Sequence, residues 1–83
     1  MPRYRWNAWN IEHIAQHGVR PAEAESVVTT GERRKIGDKK YKAIGRGTGG
    51  RWLQAIYIFD PPGVVYVIHA RPLTESEKHR FKK

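Results

Sequence analysis

The chain has 83 residues, with 16 Lys and Arg against eight Asp and Glu and no cysteine. That length suits one compact domain, 1–83, and excludes two, while the missing cysteines exclude disulfides and thiolate metal sites. The formal charge of +8 is uneven: residues 1–30 set Arg3, Arg5 and Arg20 against Glu12, Glu23 and Glu25, so the whole excess lies in residues 31–83 and favours a polyanionic partner.

A chain this short buries only about 60% of the surface it exposes when unfolded, so a partner protein covering part of it is expected. Met1–Trp6 is basic and aromatic with no apolar run behind it, so no signal peptide is expected. The longest apolar runs, Ala55–Phe59 and Val64–Ile68, are strand-sized, which predicts no membrane span. A cytoplasmic setting fits the lack of cysteine.

A short extended piece opens the chain and a helix follows. Asn7 suits the N-cap, Trp6 and Ile11 fall at hydrophobic-staple spacing, and Ile14 and Ala15 continue an apolar stripe. Gly18 is placed to stop that helix. A second helix takes Pro21 at its first position and Glu23 at its third, with Ala24, Val27 and Val28 facing inward. Arg20 would be its cap, a poor one, and Gly31 its end. Glu32–Asp38 reads as a charged loop.

Three strands are then predicted, Lys39–Arg46, Arg51–Asp60 and Val64–Arg71. Gly47-Thr48-Gly49-Gly50 joins the first two and Pro61-Pro62-Gly63 the last two. Thr74-Glu75-Ser76-Glu77 is a capping box. It opens a C-terminal helix whose basic last turn holds Lys78, Arg80, Lys82 and Lys83, with Phe81 as its single apolar anchor.

Simple pairing about the two turns would place Arg46 opposite Arg51 and Phe59 opposite Val64. Alternation then gives a core face of Ile44, Leu53, Ala55, Tyr57, Phe59, Tyr66 and Ile68. The other face would show Lys39, Tyr41, Trp52, Gln54, His69 and Arg71, with Arg71 beside Trp52 and His69 beside Gln54. An imidazole, a guanidinium, an indole and an amide there are groups that hold phosphate and stack a base. A bulge would slip this grouping.

His13 and His17 share one helix face at i, i+4 spacing, but the glutamate of the metalloprotease helix and a third ligand are both missing, so no metal is expected. The glycine segment lacks the Lys-Ser/Thr ending of a phosphate-binding loop and reads as a hairpin connection. Trp9 and Trp52 offer stacking surfaces, although aromatic residues in a thin core usually just pack.

Three stretches resemble one family. They are Trp6-Asn7-x-x-Asn10-x-x-His13-Ile14-x-x-His17-Gly18-Val19 with Pro21-x-Glu23-x-Glu25, then Gly45-Arg46 with Gly50-Arg51-x-Leu53, then Ile68-x-Ala70-Arg71-x-x-Thr74-x-x-Glu77. In order and spacing, over about residues 4–81, they are similar to the BrnT-like toxins. Three positions depart from the family pattern: Arg20 stands where a better cap is usual, His69 where a small or hydroxyl residue is common, and Pro72-Leu73 after Arg71 is a variant ending.

The resemblance implies an α+β, RelE-like domain: two N-terminal helices on an antiparallel sheet of three or four strands, then a short C-terminal helix. It implies a ribonuclease toxin of a type II toxin–antitoxin system, without cofactor, neutralised by a BrnA-like antitoxin and meeting promoter DNA only through that complex. Homodimerisation is left open. Metal-independent cleavage uses the RNA 2′-OH as nucleophile, so the protein must move protons and offset phosphate charge. Arg71 is then the expected phosphate clamp, His69 the acid–base group on chemical grounds, and Tyr41 and Lys39 weaker candidates. Lys39, Arg46, Arg51, Trp52, Lys78 and Arg80 are the expected RNA-binding residues. A bridge from Arg71 to Glu75 or Glu77 is the structural alternative for that residue. Two other functions compete: a non-catalytic nucleic-acid-binding module with the same fold, and a subunit that binds an acidic protein.

Overall fold

The computed structural model describes residues 2–81. Lys82 and Lys83, assigned by the sequence to the last helical turn, lie outside the described residues. Strand β1 (Arg3–Tyr4) leads to α1 (Ala8–Ala15) and α2 (Pro21–Thr30). The strands β2 (Glu32–Gly37), β3 (Lys40–Arg46), β4 (Trp52–Phe59) and β5 (Val64–Pro72) follow, and α3 (Glu75–Phe81) comes last. The sheet order is β1-β5-β4-β3-β2. β1 runs parallel to β5 and the other pairs are antiparallel, so the sheet is five-stranded and mixed rather than antiparallel with three or four strands.

Side chains at both helix starts satisfy backbone donors that have no intrahelical partner. Asn7 and Asn10 cap α1 reciprocally: Asn10 N–H donates to Asn7 Oδ1 at 3.2 Å, and Asn7 N–H to Asn10 Oδ1 at 2.8 Å. Asn10 is fully buried, and its Nδ2 donates to the Arg5 carbonyl at 3.1 Å, so its burial leaves the amide paired. Asn10 and Ile14, one turn apart, form the buried face, while Ile11, expected in the stripe, is exposed. Gly18 closes the helix with φ +72, a conformation side chains resist. At α2, Arg20 offers no side-chain cap, and Glu23 Oε1 reaches back to accept the Arg20 N–H at 3.1 Å.

β2 corrects the reading of Glu32–Asp38 as a loop. All six of its residues are exposed. It exists because its backbone completes the ladder on β3, which an apolar-periodicity argument does not detect. Lys39, expected to start a strand, occupies the turn between β2 and β3 at φ +61. β1 ties the N-terminal segment to the start of β5 through Arg3↔Val64 and Tyr4↔Val65. Asp60–Pro61 is a cis peptide in the turn before β5.

The register differs from simple hairpin pairing at both turns. β3 sets Arg46 opposite Trp52, which carries Tyr41, Ala43 and Gly45 to the core side and Lys42, Ile44 and Arg46 to the outer side. Ile44 therefore leaves the predicted core and Tyr41 leaves the predicted site. β5 sets Phe59 opposite Val65, and a bulge at Ile68 adds a second shift, because Ile56 faces His69 while Tyr57 faces Val67. The first shift brings Val65 and Val67 into the core and turns Tyr66 away. The two shifts together restore the original alternation beyond the bulge. His69 and Arg71 thus share the outer side with Trp52 and Gln54 as expected, but Arg71 pairs with Gln54 and His69 with Ile56.

The core is Ile14, Val19, Ala24, Val27 and Val28 from the helical segment against Ala43, Leu53, Ala55, Tyr57, Val65, Val67 and Ala70 of the sheet. α2 lies on β3 and β4, and α1 lies against β5. α3 covers part of the outer side, where Phe81 meets Trp52 edge-on at 5.3 Å between ring centroids.

Candidate functional site

Arg71 and the start of α3 form one hydrogen-bonded unit. Its Nη1 and Nη2 donate to Glu77 Oε1 and Oε2, each at 2.8 Å, and Nη1 also donates to the Pro72 carbonyl. Glu77 Oε1 accepts the Thr74 N–H at 2.8 Å, and Thr74 Oγ1 accepts the Glu77 N–H at 3.2 Å. This is a bidentate pair built on a capping box. The motif residues Arg71, Thr74 and Glu77 therefore anchor α3, and the bridge weighed as the structural alternative is formed.

The Arg71 hydrogen bonds, with that from Thr74 N–H, hold the Glu77 carboxyl down to about 2. A depressed carboxyl contributes stability that is complete above its unfolded value of 4.5 and lost as pH falls through about 2. An NMR titration should place Glu77 near 2, and in Arg71→Ala its midpoint should climb toward ordinary carboxylate values. A Glu77 midpoint unmoved by the substitution would contradict the bidentate pair.

Two residues before Arg71, His69 meets the helix that packs beside β5. Its ring centroid is 5.0 Å from that of His17 and 6.1 Å from that of His13, both edge-on. Burial is the largest influence on His69 and disfavours its charged form; the positive fields of His17, His13 and Arg71 act in the same direction and hold its pKa below the usual imidazole value. His13 in turn stacks on Trp9 at 4.8 Å and 9°. Trp9, 54% exposed, continues the stack to Tyr66 at 6.3 Å. Arg5 lies over Tyr66 at 3.9 Å and is fixed by Asp60. Among the described residues, no group of three His, Asp or Glu side chains is arranged to hold a metal ion.

On the other side of Arg71, a groove of about 340 Å³ opens between the sheet and α3. Ile44, Leu73 and Phe81 give it apolar walls; Gln54 adds an amide, and Arg34, Lys42 and Arg80 add three cations against the carboxylates of Glu32 and Glu77.

The remaining expected site residues are scattered. Tyr41 stacks on Tyr57 at 5.5 Å and meets Phe59 at 5.3 Å, on the core side and toward the other end of the sheet from Arg71. Lys39 is at that same end, at the hairpin tip. Arg46 lies 5.2 Å from the Trp52 ring centre, and Lys78 pairs with Glu75 at 2.9 Å. Arg51 clamps the buried Glu23 carboxylate through Nε and Nη2 and donates to the Gly18 carbonyl at 2.7 Å, so its guanidinium serves the fold. The convergence of His13 and His17 on His69 was missed in the sequence. Their i, i+4 spacing reads as one helix face, but α1 ends at Ala15 and His17 lies in the turn after it, and only the tertiary packing says which strand the two meet.

Comparison with protein-family models, curated proteins and solved structures finds no match. No helix among the described residues is long and apolar enough to cross a membrane.

Proposed function

We propose that the chain is a metal-independent endoribonuclease with a RelE-like fold, acting as a BrnT-type toxin and neutralised by a BrnA-like antitoxin. The resemblance of the three motifs supports this reading, as do the +8 charge and the succession of two helices, a sheet and a closing helix. The observation that carries it is His69. An imidazole kept in its neutral form stands two residues from a guanidinium on one side of a sheet, which suits a base that takes a proton beside a phosphate.

In this reading His69 removes the 2′-OH proton. Arg71, with its orientation fixed by Glu77, contributes N–H donors rather than a full free charge. Lys42 and Arg80 in the adjoining groove draw the RNA backbone.

Purified protein should cleave RNA in the presence of a chelator and leave 2′,3′-cyclic phosphate ends. His69→Ala should slow this by about a hundredfold or more, the usual scale of acid–base catalysis. Induced expression should arrest growth with loss of total RNA, and the same substitution should relieve it. RNA that survives intact at verified protein levels would end the nuclease reading. The engagement of Arg51 and Arg71 by Glu23 and Glu77 favours a second reading, a nucleic-acid-binding module without cleavage. Salt-sensitive RNA binding with no cleaved product would select it.

A further inference from the structure

Cleavage by a 2′-OH needs two proton transfers, one from the attacking oxygen and one to the leaving oxygen. Two arginines of the motifs that carry the resemblance, Arg51 and Arg71, are paired with Glu23 and Glu77 and supply no obvious second group. The histidines of the first motif supply one. α1 carries His13, and the turn that follows it His17, to the half of β5 beyond the bulge, so three imidazoles from two segments more than 50 residues apart in sequence meet at one seam.

These imidazoles differ in surroundings. His69 is half-buried between α1 and the sheet; His17 is exposed. His13 is stacked flat on Trp9, which fixes its ring. The charged and titratable groups that act on His69 are His13 from α1, His17 from the turn after it and Arg71 from its own strand, all cationic or capable of becoming so. Nothing in that set favours two protonated rings side by side. A phosphate would change the balance, because an anion at the seam offsets the positive charge that these groups bring together. The His17 and His69 ring centroids are 5.0 Å apart and their planes inclined at 68°, so the two rings meet edge to face rather than stacked.

We propose that His17 is the general acid that completes this site, paired with His69 as base across the seam between the turn after α1 and β5. The inference rests on the ribonuclease reading and deepens it. His69 takes the 2′-OH proton as the 2′ oxygen forms its bond to phosphorus. The bond from phosphorus to the 5′ oxygen breaks, and His17 delivers its proton to that oxygen. The products are a 2′,3′-cyclic phosphate and a free 5′-OH. The proton gained by His69 and lost by His17 returns through solvent.

The test uses two short RNA substrates, one all-oxygen and one with sulfur replacing the leaving 5′ oxygen. A thiolate leaves without being protonated, since thiols ionise near pH 8.5. On the all-oxygen substrate, His17→Ala should lose about a hundredfold in kcat, and its pH–rate profile should lose the descending limb. On the sulfur substrate its rate should return to within a few-fold of wild type, whereas His69→Ala should stay slow on both. Thermal unfolding of each variant checks that the fold is intact. A His17→Ala rate within about twofold of wild type on the all-oxygen substrate overturns the proposal, as does an equal deficit on both substrates, which marks a structural role. Wild-type protein inert toward both substrates sinks the ribonuclease reading itself, an outcome distinct from the other two.

Discussion

Gly31→Ala should destabilise the protein by about 3 kcal/mol or more, at the upper end of what overpacking usually costs. The reason is space, since Gly31 has ordinary extended backbone angles, φ −82 and ψ 178. A Cβ there would lie 2.5 Å from the carbonyl oxygens of both Val27 and Ile44 and 2.9 Å from the Ile44 carbonyl carbon. All three are backbone atoms, so no side chain can rotate away. From the facing strand, a Cβ on Gly45 would come 2.9 Å from Gly31 Cα. The two glycines mark where the chain leaving α2 comes in tightly alongside β3 to begin β2. Urea denaturation of Gly31→Ala beside Gly37→Ala tests this. The nearest atom to a Cβ at Gly37 is 3.8 Å away, so the control should stay within about 0.5 kcal/mol of wild type. If both variants unfold together, the close approach does not matter to stability.

Glu23→Ala is expected to cost about 2–3 kcal/mol, less than the usual penalty for breaking a buried pair because Arg51 keeps access to water. Glu23 is 3% exposed and its partner 44%. Removing the carboxylate releases Arg51 from α2, the Arg20 N–H from its acceptor, and the link through Arg51 to the Gly18 carbonyl. Glu23→Gln should recover part of the loss by keeping the Arg20 N–H bond. Burial pushes the Glu23 carboxyl up, but hydrogen bonds from Arg51 and the Arg20 N–H, with their charges, outweigh it and leave the group below its ordinary value. A lowered carboxyl stabilises fully above its unfolded value of 4.5, and that share disappears as pH falls through the lower folded value. Wild type should therefore lose stability in acid below 4.5 more steeply than Glu23→Ala, as urea midpoints across that range would reveal. Parallel acid profiles would remove Glu23 from this role.

Local chemistry was the legible part of the sequence. Asn7, Pro21, Gly18 and the Thr74–Glu77 box each act through neighbours within a few positions, and each is found where those rules place it. The opening extended piece was legible, but its place in the sheet as β1 was not, and nor was β2. One has two residues and the other is exposed throughout, so neither carries an apolar period, and their strand character comes from ladders offered by β5 and β3. Register was legible only in part. Hairpin geometry is set by turn details that composition does not fix, and one position of slip moved Tyr41 and Ile44 across the sheet. In the candidate site, the shared side of His69 and Arg71 was read correctly, although the alternation arrived there through two shifts that the simple pairing lacked. The engagement of Arg51 by Glu23 was not readable, because nothing local links a helix start to a residue 28 positions on.

The extra residue at Ile68 divides β5 into two halves with independent facing. Before it, Val65 and Val67 build the interior; after it, Ala70 does so while His69 and Arg71 look the other way. Removing Ile68 would therefore act as an inversion rather than a shortening. With the first half held by β1 and the core, the second would turn over, sending an imidazole and a guanidinium toward α2 and an alanine outward. A strand built this way lets mutation tune its packing half and its chemical half separately, provided the odd residue between them is kept.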